Sequence, residues 1–454
     1  MGKSIKENKM GTMKIPKLLF SISVPIIISM IMQALYNVVD SIYVAQFDNI
    51  AGTGALTVAF PVQNLIIAVG AGLAVGVNAL LSRALGEKDF KRVNKIAGQG
   101  FFLLTCAYLL FLISGLFLIK PYVIGQAGNQ GKLFEYSLDY LTIVCFLSIG
   151  VFIQILTERL LQSTGKSMLS MVVQGTGALV NIILDPILIF GWFGIPQLGV
   201  TGAAIATVIG QLIAATLGII LNIKYNKEIR IAVRNFIPKW SVLKSMLAIG
   251  VPSVMMQAIG SVMTFSMNKI LIGFSTEALN VFGIYFKLQS FILMPVFGMN
   301  NGMVPILAYN YGARRKDRMF AALKLAMITV VAYMFIGLAV FQFIPQLLLG
   351  MFNASDSMLE IGITALRIIS INFVFAGFSI MIIGFFQALG KSIYSLIISA
   401  GRQLVVLIPV AYMLSLSGRV ELVWWAFPIA EIVSLILCLL FLIRVIRRTL
   451  PKDF

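Results

Sequence analysis

The chain has 454 residues, of which 59% are hydrophobic and only 11% are charged, and its mean hydropathy is +0.97. Soluble globular proteins carry about a quarter charged residues, so this composition excludes that class and indicates a membrane protein. The formal net charge of +18 is expected to follow the positive-inside rule and not to form a nucleic-acid surface, because the sequence offers no soluble basic face.

Twelve long apolar segments alternate with polar connections. Only helices and closed barrels satisfy the backbone in lipid, and segments of roughly twenty residues are too long for barrel strands. We therefore predict an all-α polytopic membrane protein with twelve transmembrane helices, the first retained and not cleaved as a signal peptide. The predicted spans are about 16–45, 52–82, 97–119, 136–160, 168–193, 200–224, 243–273, 279–312, 320–344, 360–388, 394–416 and 421–446.

Basic residues concentrate in alternate connections. One side of the membrane carries Lys- and Arg-rich segments such as 83–95 and 224–244, while connections on the other side, such as 193–200 and 273–280, are nearly uncharged. The positive-inside rule then places both termini in the cytoplasm, in agreement with an even number of spans. The expected location is the bacterial inner (plasma) membrane.

The chain repeats itself at an offset of 225 to 227 residues. Three pairs of features share this register: Pro25 and Pro252, Gly86 and Gly312, and the Gly-Lys-Ser tripeptides at 165–167 and 390–392. Six spans per repeat predict two six-helix lobes related by a pseudo-two-fold axis, which is typical of alternating-access carriers. The predicted division is an N-terminal lobe (1–223), a basic cytoplasmic linker (224–244) and a C-terminal lobe (245–454).

Neither Gly-Lys-Ser tripeptide is predicted to bind ATP. A Walker A loop needs a glycine five positions before the second glycine, where this chain has Leu160 and Phe385. Both tripeptides are interpreted as cytoplasmic turns.

Asp40 and Asp185 are carboxylates inside predicted spans of the N-terminal lobe. Asp40 is about 8 Å from the end of span one, and Asp185 is about 12 Å from the end of span five, at 1.5 Å per residue. Asn181 is four residues from Asp185 and so shares its helix face, and Thr207 lies at a similar depth in span six. A solvated position near the span end is the alternative for Asp185.

Two carboxylates that meet in a low dielectric share a proton or bind a cation. Because the chain has no histidine and its three cysteines lie in apolar segments, histidine-based zinc chemistry and a disulfide framework are not expected. No cofactor is predicted. The cluster predicts a coupling site for H⁺ or Na⁺, and the sequence does not decide between the two ions.

The motifs Tyr-Asn-Val-Val-Asp at 36–40, Asn-x-x-x-Asp-Pro at 181–186 and Gly-Ala-Ala-x-Ala-Thr at 202–207 resemble the multidrug and toxic compound extrusion (MATE) family. The resemblance covers essentially the whole chain. It implies export of organic cations in exchange for Na⁺ or H⁺. It also implies an N-terminal-lobe ion site, possible for Na⁺, at Asp40, Asn181, Asp185 and Thr207, with Tyr36 and the Ala203 carbonyl nearby.

The C-terminal lobe carries different charges. Some members of that family place acidic residues in spans seven and ten; here span seven has none and span ten has only Glu360 at its edge. Lys287, Arg402 and Glu431 lie within predicted spans instead. Buried charges usually pair, so we predict that Arg402 or Lys287 neutralises Glu431. A purely structural ion pair is one interpretation of these residues.

Substrate contacts are expected on both lobes. Met255 and Met256 belong to a methionine-rich stretch that suits a promiscuous pocket, although ordinary core filling explains it equally well. Aromatic rings can bind organic cations. The predicted substrate-binding residues are Gln33, Tyr36, Asn37, Met255, Met256 and Tyr285.

The sequence thus favours a secondary-active exporter of cationic amphipathic drugs and dyes, contacting membrane lipids and acting as a monomer. The alternative is a flippase for a lipid or a lipid-linked oligosaccharide, for which a cationic chamber would be needed. An enzyme is not expected because no metal cluster or nucleophile motif is present, and a channel is disfavoured because the repeats supply no filter-like ring.

Overall fold

The structure, a computed structural model, describes residues 8–230, 232–352 and 354–449, and helices are the only regular elements in these ranges. In the first half they are α1 (Lys9–Thr12), α2 (Ile15–Phe47), α3 (Ala51–Gly86), α4 (Phe90–Ala127), α5 (Lys132–Phe146), α6 (Ile149–Ser163), α7 (Ser167–Phe190) and α8 (Gly199–Tyr225). In the second half they are α9 (Trp240–Ile272), α10 (Thr276–Gly312), α11 (Lys316–Phe343), α12 (Pro345–Gly350), α13 (Asp356–Ser370), α14 (Asn372–Ala388), α15 (Ser392–Ala400), α16 (Ile408–Ser415), α17 (Val420–Val423) and α18 (Ala426–Thr449).

The described residues contain twelve membrane spans when each bent helix pair counts as one. Ten helical segments are long and apolar enough to cross a membrane, and the pairs α5–α6 and α13–α14 are bent by 46° and 42°. These spans are the twelve predicted ones, so the all-helical, two-lobed fold is confirmed. Several helices continue past the apolar segment that identified them; α4, for example, begins at Phe90 and includes charged turns outside the membrane.

The two bends occupy equivalent places in the repeat, and a serine hydroxyl bonds to the backbone at each of them. The Ser148 hydroxyl donates to the Cys145 carbonyl at 2.8 Å, and the Ser370 hydroxyl donates to the Arg367 carbonyl at 3.0 Å. A hydroxyl that bonds to a carbonyl one turn back competes with the helical ladder and bends it.

Small residues bring the helices of the N-terminal lobe together. The helix α7 packs against both α2 and α8. At the α7–α8 crossing, a Cβ atom on Gly210 would lie 2.8 Å from the Gly177 carbonyl oxygen, so the two backbones are nearly in contact. This close approach fixes the rotation of α7 against α8 and thereby the position of the polar residues that they share.

The lobes meet along α2 and α3 on one side and α9 and α10 on the other. Glycines of one lobe contact backbone or short side chains of the other in reciprocal pairs: Gly72 with Val254 and Gly298 with Ile27, Gly76 with Gly250 and Gly302 with Ser23, and Gly86 with Tyr309 and Gly312 with Arg83. Each pair is repeated at the offset found in the sequence.

These contacts lie toward one side of the membrane, the side on which α2 begins, which we call the terminal face. The helix α3 runs toward that face and ends there at Gly86, and its recorded glycine contacts with the other lobe fall between Gly72 and Gly86. Because backbone meets backbone in this region, the lobes are closed together at the terminal face.

The segment between the lobes crosses the terminal face and is anchored to α4. The Gln99 amide donates to the carbonyls of Asn235 and Ile237 at 2.8 and 2.7 Å and accepts from the Lys239 N–H at 2.8 Å. One buried glutamine therefore satisfies three backbone groups of a segment that has little helix of its own.

Candidate functional site

Asp40 lies inside the N-terminal lobe, seven residues before the end of α2, or about 10 Å along the helix axis. Its side chain is only 8% exposed, and its Oδ1 atom has no hydrogen-bond partner among the described residues. A buried carboxylate without a partner is costly. The position therefore favours a bound cation or a proton.

A second group of polar residues joins α7 to α8. The Asn181 amide donates to Asp185 Oδ1 at 3.1 Å and to Thr207 Oγ1 at 3.4 Å. All three side chains are buried, and Asp185 is fully inaccessible. The prediction that Asn181 and Asp185 share one helix face is confirmed by this bond, and burial removes the solvated alternative for Asp185.

The two groups lie next to each other because α2 packs against α7. Asp40 and Asp185 are close enough for their charges to interact, and Tyr36 lies near both. Asn181 Oδ1 and Asp185 Oδ2 are also buried without a partner among the described residues. Three oxygen atoms from two helices are thus available in one region, and carboxylate and amide oxygens suit a hard monovalent cation.

Ala203 is fully buried one helical turn before Thr207 on α8. Its carbonyl belongs to the helical backbone, so its place beside the cluster is set by helix geometry. No group of three or more His, Cys, Asp or Glu side chains suited to a metal occurs among the described residues. The site instead offers a mixed set of oxygen donors: two carboxylates, an amide and a hydroxyl.

Two residues that the sequence did not single out complete the cluster. The Gln63 amide donates to the Tyr140 hydroxyl at 2.9 Å, and that hydroxyl lies within hydrogen-bonding reach of Thr207. Tyr140 is almost fully buried. The only sequence signal was their polarity at similar depths of spans two and four.

A polar track continues from the cluster toward the terminal face. The Gln154 amide donates to Gln174 Oε1 at 2.8 Å and to Glu158 Oε1 at 3.0 Å. Beside it is a cavity of about 20 Å³, lined in part by Tyr36, Gln154 and Gln174, which is large enough for one water molecule. Glu158 lies inside predicted span four and was not singled out from the sequence.

The predicted substrate contacts fall into three environments. On α2, Asn37 is exposed while Gln33 and Tyr36 are partly buried. On α9, Met255 is 49% exposed, whereas Met256 packs against the core.

Tyr285 is fully buried in an aromatic cluster, with its ring 6.3 Å from Phe282 and 6.0 Å from Phe427. In this conformation a substrate could contact Tyr285 only if that cluster opened.

The buried charge of the C-terminal lobe is neutralised by Arg402. Its guanidinium donates to Glu431 Oε2 at 2.9 Å. The expectation that Lys287 is also a buried charge is wrong: its side chain is exposed, with its ammonium 5.8 Å from the centre of the Phe352 ring. The predicted pairing is therefore confirmed with Arg402 as the partner.

A local change of helix geometry accompanies this pair. Arg402 belongs to a π-helical segment, Gly401–Leu407, between α15 and α16. The extra residue of a π segment rotates the side chains that follow it, and such segments are often found at functional sites. Glu431 stands at the repeat position of Thr207, so the C-terminal lobe holds an ion pair where the N-terminal lobe holds the open cluster.

The sequence model of the MatE family matches residues 25–187 and 252–413. The two matched segments begin at Pro25 and Pro252, the prolines that first revealed the repeat. Among curated proteins, the chain is 26% identical to the multidrug export protein MepA of Staphylococcus haemolyticus (strain JCSC1435) over 440 residues, covering 96% of this chain and 95% of that protein. It is 25% identical to MepA of Staphylococcus aureus (strain bovine RF122 / ET3-1) over 416 residues, covering 91% and 90%.

Solved structures share the fold over almost the whole chain. An outward-facing multidrug resistance MATE family transporter of the MOP superfamily superposes with a TM-score of 0.88 at 25% identity, covering 98% of this chain and 99% of that one. A MOP superfamily transporter from Pyrococcus furiosus, at 24% identity and a TM-score of 0.87, covers 99% and 100% and supports the fold alone.

Proposed function

Because the chain belongs to the MatE family of multidrug efflux transporters, we propose that it is a secondary-active antiporter of the bacterial plasma membrane. It exports cationic, amphipathic drugs and dyes in exchange for H⁺ or Na⁺. The observation that carries this proposal is the set of three buried, unpartnered oxygen atoms on Asp40, Asn181 and Asp185. A site of this kind is stabilised by a cation or a proton and is costly when it is empty.

Coupling follows from competition for the same charge. With Asp40 and Asp185 ionised, the N-terminal lobe attracts a cationic drug. Entry of H⁺ or Na⁺ neutralises the two carboxylates, which lowers the affinity for the drug and shifts the population toward the releasing state. Asn181 and Thr207 orient the acceptor oxygens. Reciprocity requires that the drug weaken ion binding by the same factor.

The orientation is proposed from the charge pattern. Basic residues lie on the terminal face, so that face is cytoplasmic under the positive-inside rule. Closure of the lobes at the terminal face is then closure on the cytoplasmic side. Since one chain contains both lobes, a monomer is sufficient for the transport cycle.

The flippase alternative requires a positively charged chamber for phosphate groups. Two cations of the C-terminal lobe could contribute to such a chamber, but Arg402 is neutralised by Glu431, and Lys287 is exposed beside Phe352. The observed charges therefore favour export of cations over lipid flipping.

The test is dye efflux from reconstituted vesicles, driven separately by an imposed pH gradient and an imposed Na⁺ gradient. Asp40→Asn and Asp185→Asn keep the shape of each side chain but remove its charge, and both are expected to reduce gradient-driven export to the background rate. Asp139→Asn is the matched control, because Asp139 is an exposed carboxylate of the same lobe and export should be unaffected.

Export under one gradient only would identify the coupling ion. Full gradient-driven export by Asp40→Asn would contradict the assignment of that carboxylate. If no dye moves under either gradient while a labelled lipid is translocated, the flippase alternative replaces the antiporter.

A further inference from the structure

A cavity of about 530 Å³ lies on the terminal face of the N-terminal lobe, outside the cluster described above. It forms where the segment before α2, the turn between α6 and α7, and the end of α8 come together. Its volume falls within the range of small-molecule sites. The residues that determine its chemistry are Lys9, Lys166, Glu228, Met168 and Tyr225.

The cavity carries an excess of positive charge. The Lys166 ammonium bonds to Glu228 Oε2 at 2.5 Å and to Asn226 Oδ1 at 3.3 Å. Lys9 is half-buried beside it and forms no ion pair or hydrogen bond through its ammonium with any residue in the described ranges. The cavity therefore holds two ammonium groups and one carboxylate, which is paired with Lys166, and Lys9 lacks a counter-charge among the described residues.

This arrangement is unfavourable for Lys9 when the cavity holds no anion. Burial, together with the neighbouring Lys166 charge, lowers the pKa of Lys9. A bound anion would supply the missing counter-charge and reverse both effects. The cavity thus gains electrostatic stabilisation from an anionic ligand.

The backbone of the Gly-Lys-Ser turn adds to the attraction. Gly165 has a φ of +79°, and the turn leads directly into α7, whose first residues Met168 and Leu169 line the cavity. The N–H groups of Leu169 and Ser170 donate to the Lys166 carbonyl, so the attraction at this helix start comes from the N–H groups before them and from the helix dipole, both of which favour anions. The tripeptide that resembles part of a phosphate loop therefore lies at an anion-compatible helix start without being an ATP site.

The rim of the cavity is apolar and lies where helices enter the membrane. The Met168 side chain is 58% exposed, and Tyr225, also exposed, has the Lys224 ammonium 5.4 Å from its ring centre. Tyrosine beside lysine at the end of a transmembrane helix is typical of the membrane interface. A ligand seated here has its charged part in the cavity and apolar surface beside it.

We propose that this cavity binds the phosphate group of an anionic phospholipid from the leaflet on the terminal face, with Lys9 and Lys166 as its cationic contacts. The acyl chains extend past Met168 and Tyr225 into the bilayer. Polybasic positions at the membrane surface attract anionic lipids at about 1 kcal/mol per lysine, and the concave shape of the cavity adds to that attraction. This proposal does not depend on the transported substrate or the coupling ion.

The repeat provides a matched control within the same chain. The second Gly-Lys-Ser turn places Lys391, which is exposed, at the equivalent of Lys166. A Cβ at Gly165 would meet the side chain of Lys9, whereas a Cβ at the equivalent Gly390 would meet only Ile249 of the described residues within 4 Å. The second turn therefore lacks the second cation, so Lys391→Gln should not affect lipid binding.

The test measures the thermal-unfolding midpoint of the full chain in detergent with added phosphatidylglycerol or phosphatidylcholine. Phosphatidylglycerol is expected to raise the midpoint of the wild type more than phosphatidylcholine does. Lys9→Gln should lose most of that difference, with an apparent affinity lower by about fivefold, while Lys391→Gln keeps it. Without lipid, Lys9→Gln should be at least as stable as the wild type, because Lys9 contributes no ion pair among the described residues.

Native mass spectrometry gives a second measurement that does not depend on stability. The wild type and Lys391→Gln should retain one more phosphatidylglycerol molecule than Lys9→Gln. An undiminished phosphatidylglycerol response in Lys9→Gln would overturn the proposal. If inorganic phosphate or glycerol phosphate alone raised the midpoint as much as the lipid, the site would bind a free phosphate and the lipid assignment would be wrong.

Discussion

A methyl group at Gly76 tests how closely the two lobes must pack at the terminal face. An alanine Cβ at this position would lie 2.5 Å from the carbonyl oxygen of Met246 on α9, whereas ordinary contact begins at 3.4 Å. The obstructing atom belongs to the backbone, so no side-chain rotation can relieve the overlap. The helices α3 and α9 must therefore separate by about 0.9 Å.

The cost of this overlap falls on one conformation. Overpacking of this kind destabilises a structure by about 1–3 kcal/mol, and the clash disappears once the lobes separate at the terminal face. The ratio of the closed to the open population should therefore fall by about 5- to 150-fold in Gly76→Ala. The repeat predicts the same direction for Gly302→Ala, whose Cβ would meet Ser23.

Double electron–electron resonance, which measures the distance between two spin labels, can detect this shift. Lys91 and Lys391 are exposed on the terminal face, one in each lobe, and cysteines introduced there would carry the labels after the exposed Cys106 is replaced. We expect Gly76→Ala to increase the population of long distances. Gly283→Ala is the control, because a Cβ at Gly283 meets nothing within 4 Å and the substitution changes only helix propensity.

An unchanged distance distribution in Gly76→Ala would refute the reasoning. A shift of equal size in Gly283→Ala would refute it as well, since the effect would then arise from helix propensity and not from contact between the lobes.

Two further predictions concern the C-terminal lobe and the start of the chain. Arg402→Met leaves Glu431 buried and unpaired and should lower the free energy of unfolding by about 3–5 kcal/mol. The double variant that also carries Glu431→Met should recover most of this loss. Equal thermal stability of Arg402→Met and the wild type would contradict the prediction. Asn310→Ala removes the bond from the Asn310 amide to the Met10 carbonyl at 3.2 Å. Tryptic cleavage after Lys9 should become about fivefold faster in this variant. The control is Asn64→Ala, which changes an exposed asparagine and should leave the cleavage rate unchanged. An unaltered rate in Asn310→Ala would contradict the idea that this bond fixes the start of the chain.

Properties that depend on one helix at a time were predictable from the sequence. Hydropathy identified the spans because each helix meets the same apolar solvent, and the four-residue spacing of Asn181 and Asp185 predicted their common face, which their hydrogen bond confirms. The register of the repeat was visible because matching turns and prolines keep their spacing.

Properties that depend on the rotation of one helix against another were not predictable. Gln63 and Tyr140 join the cluster only because α3 and α5 present them at the same depth. The choice between Lys287 and Arg402 as partner of Glu431 depends on which face each helix turns toward the lobe interior. Hydropathy also continues smoothly across the bend at Ser148, so the bend leaves no signal in it.

The reciprocal glycine contacts between the lobes have a consequence for how this chain can change. Gly76 meets Gly250 as Gly302 meets Ser23, so each half presents both complementary surfaces of the contact. In symmetric homodimers this arrangement is an isologous interface, formed by one patch that pairs with a copy of itself. Here both copies of the patch lie in a single polypeptide. A substitution in one half therefore needs no matching change in the other, and the two surfaces are free to diverge, as Gly250 and Ser23 already have.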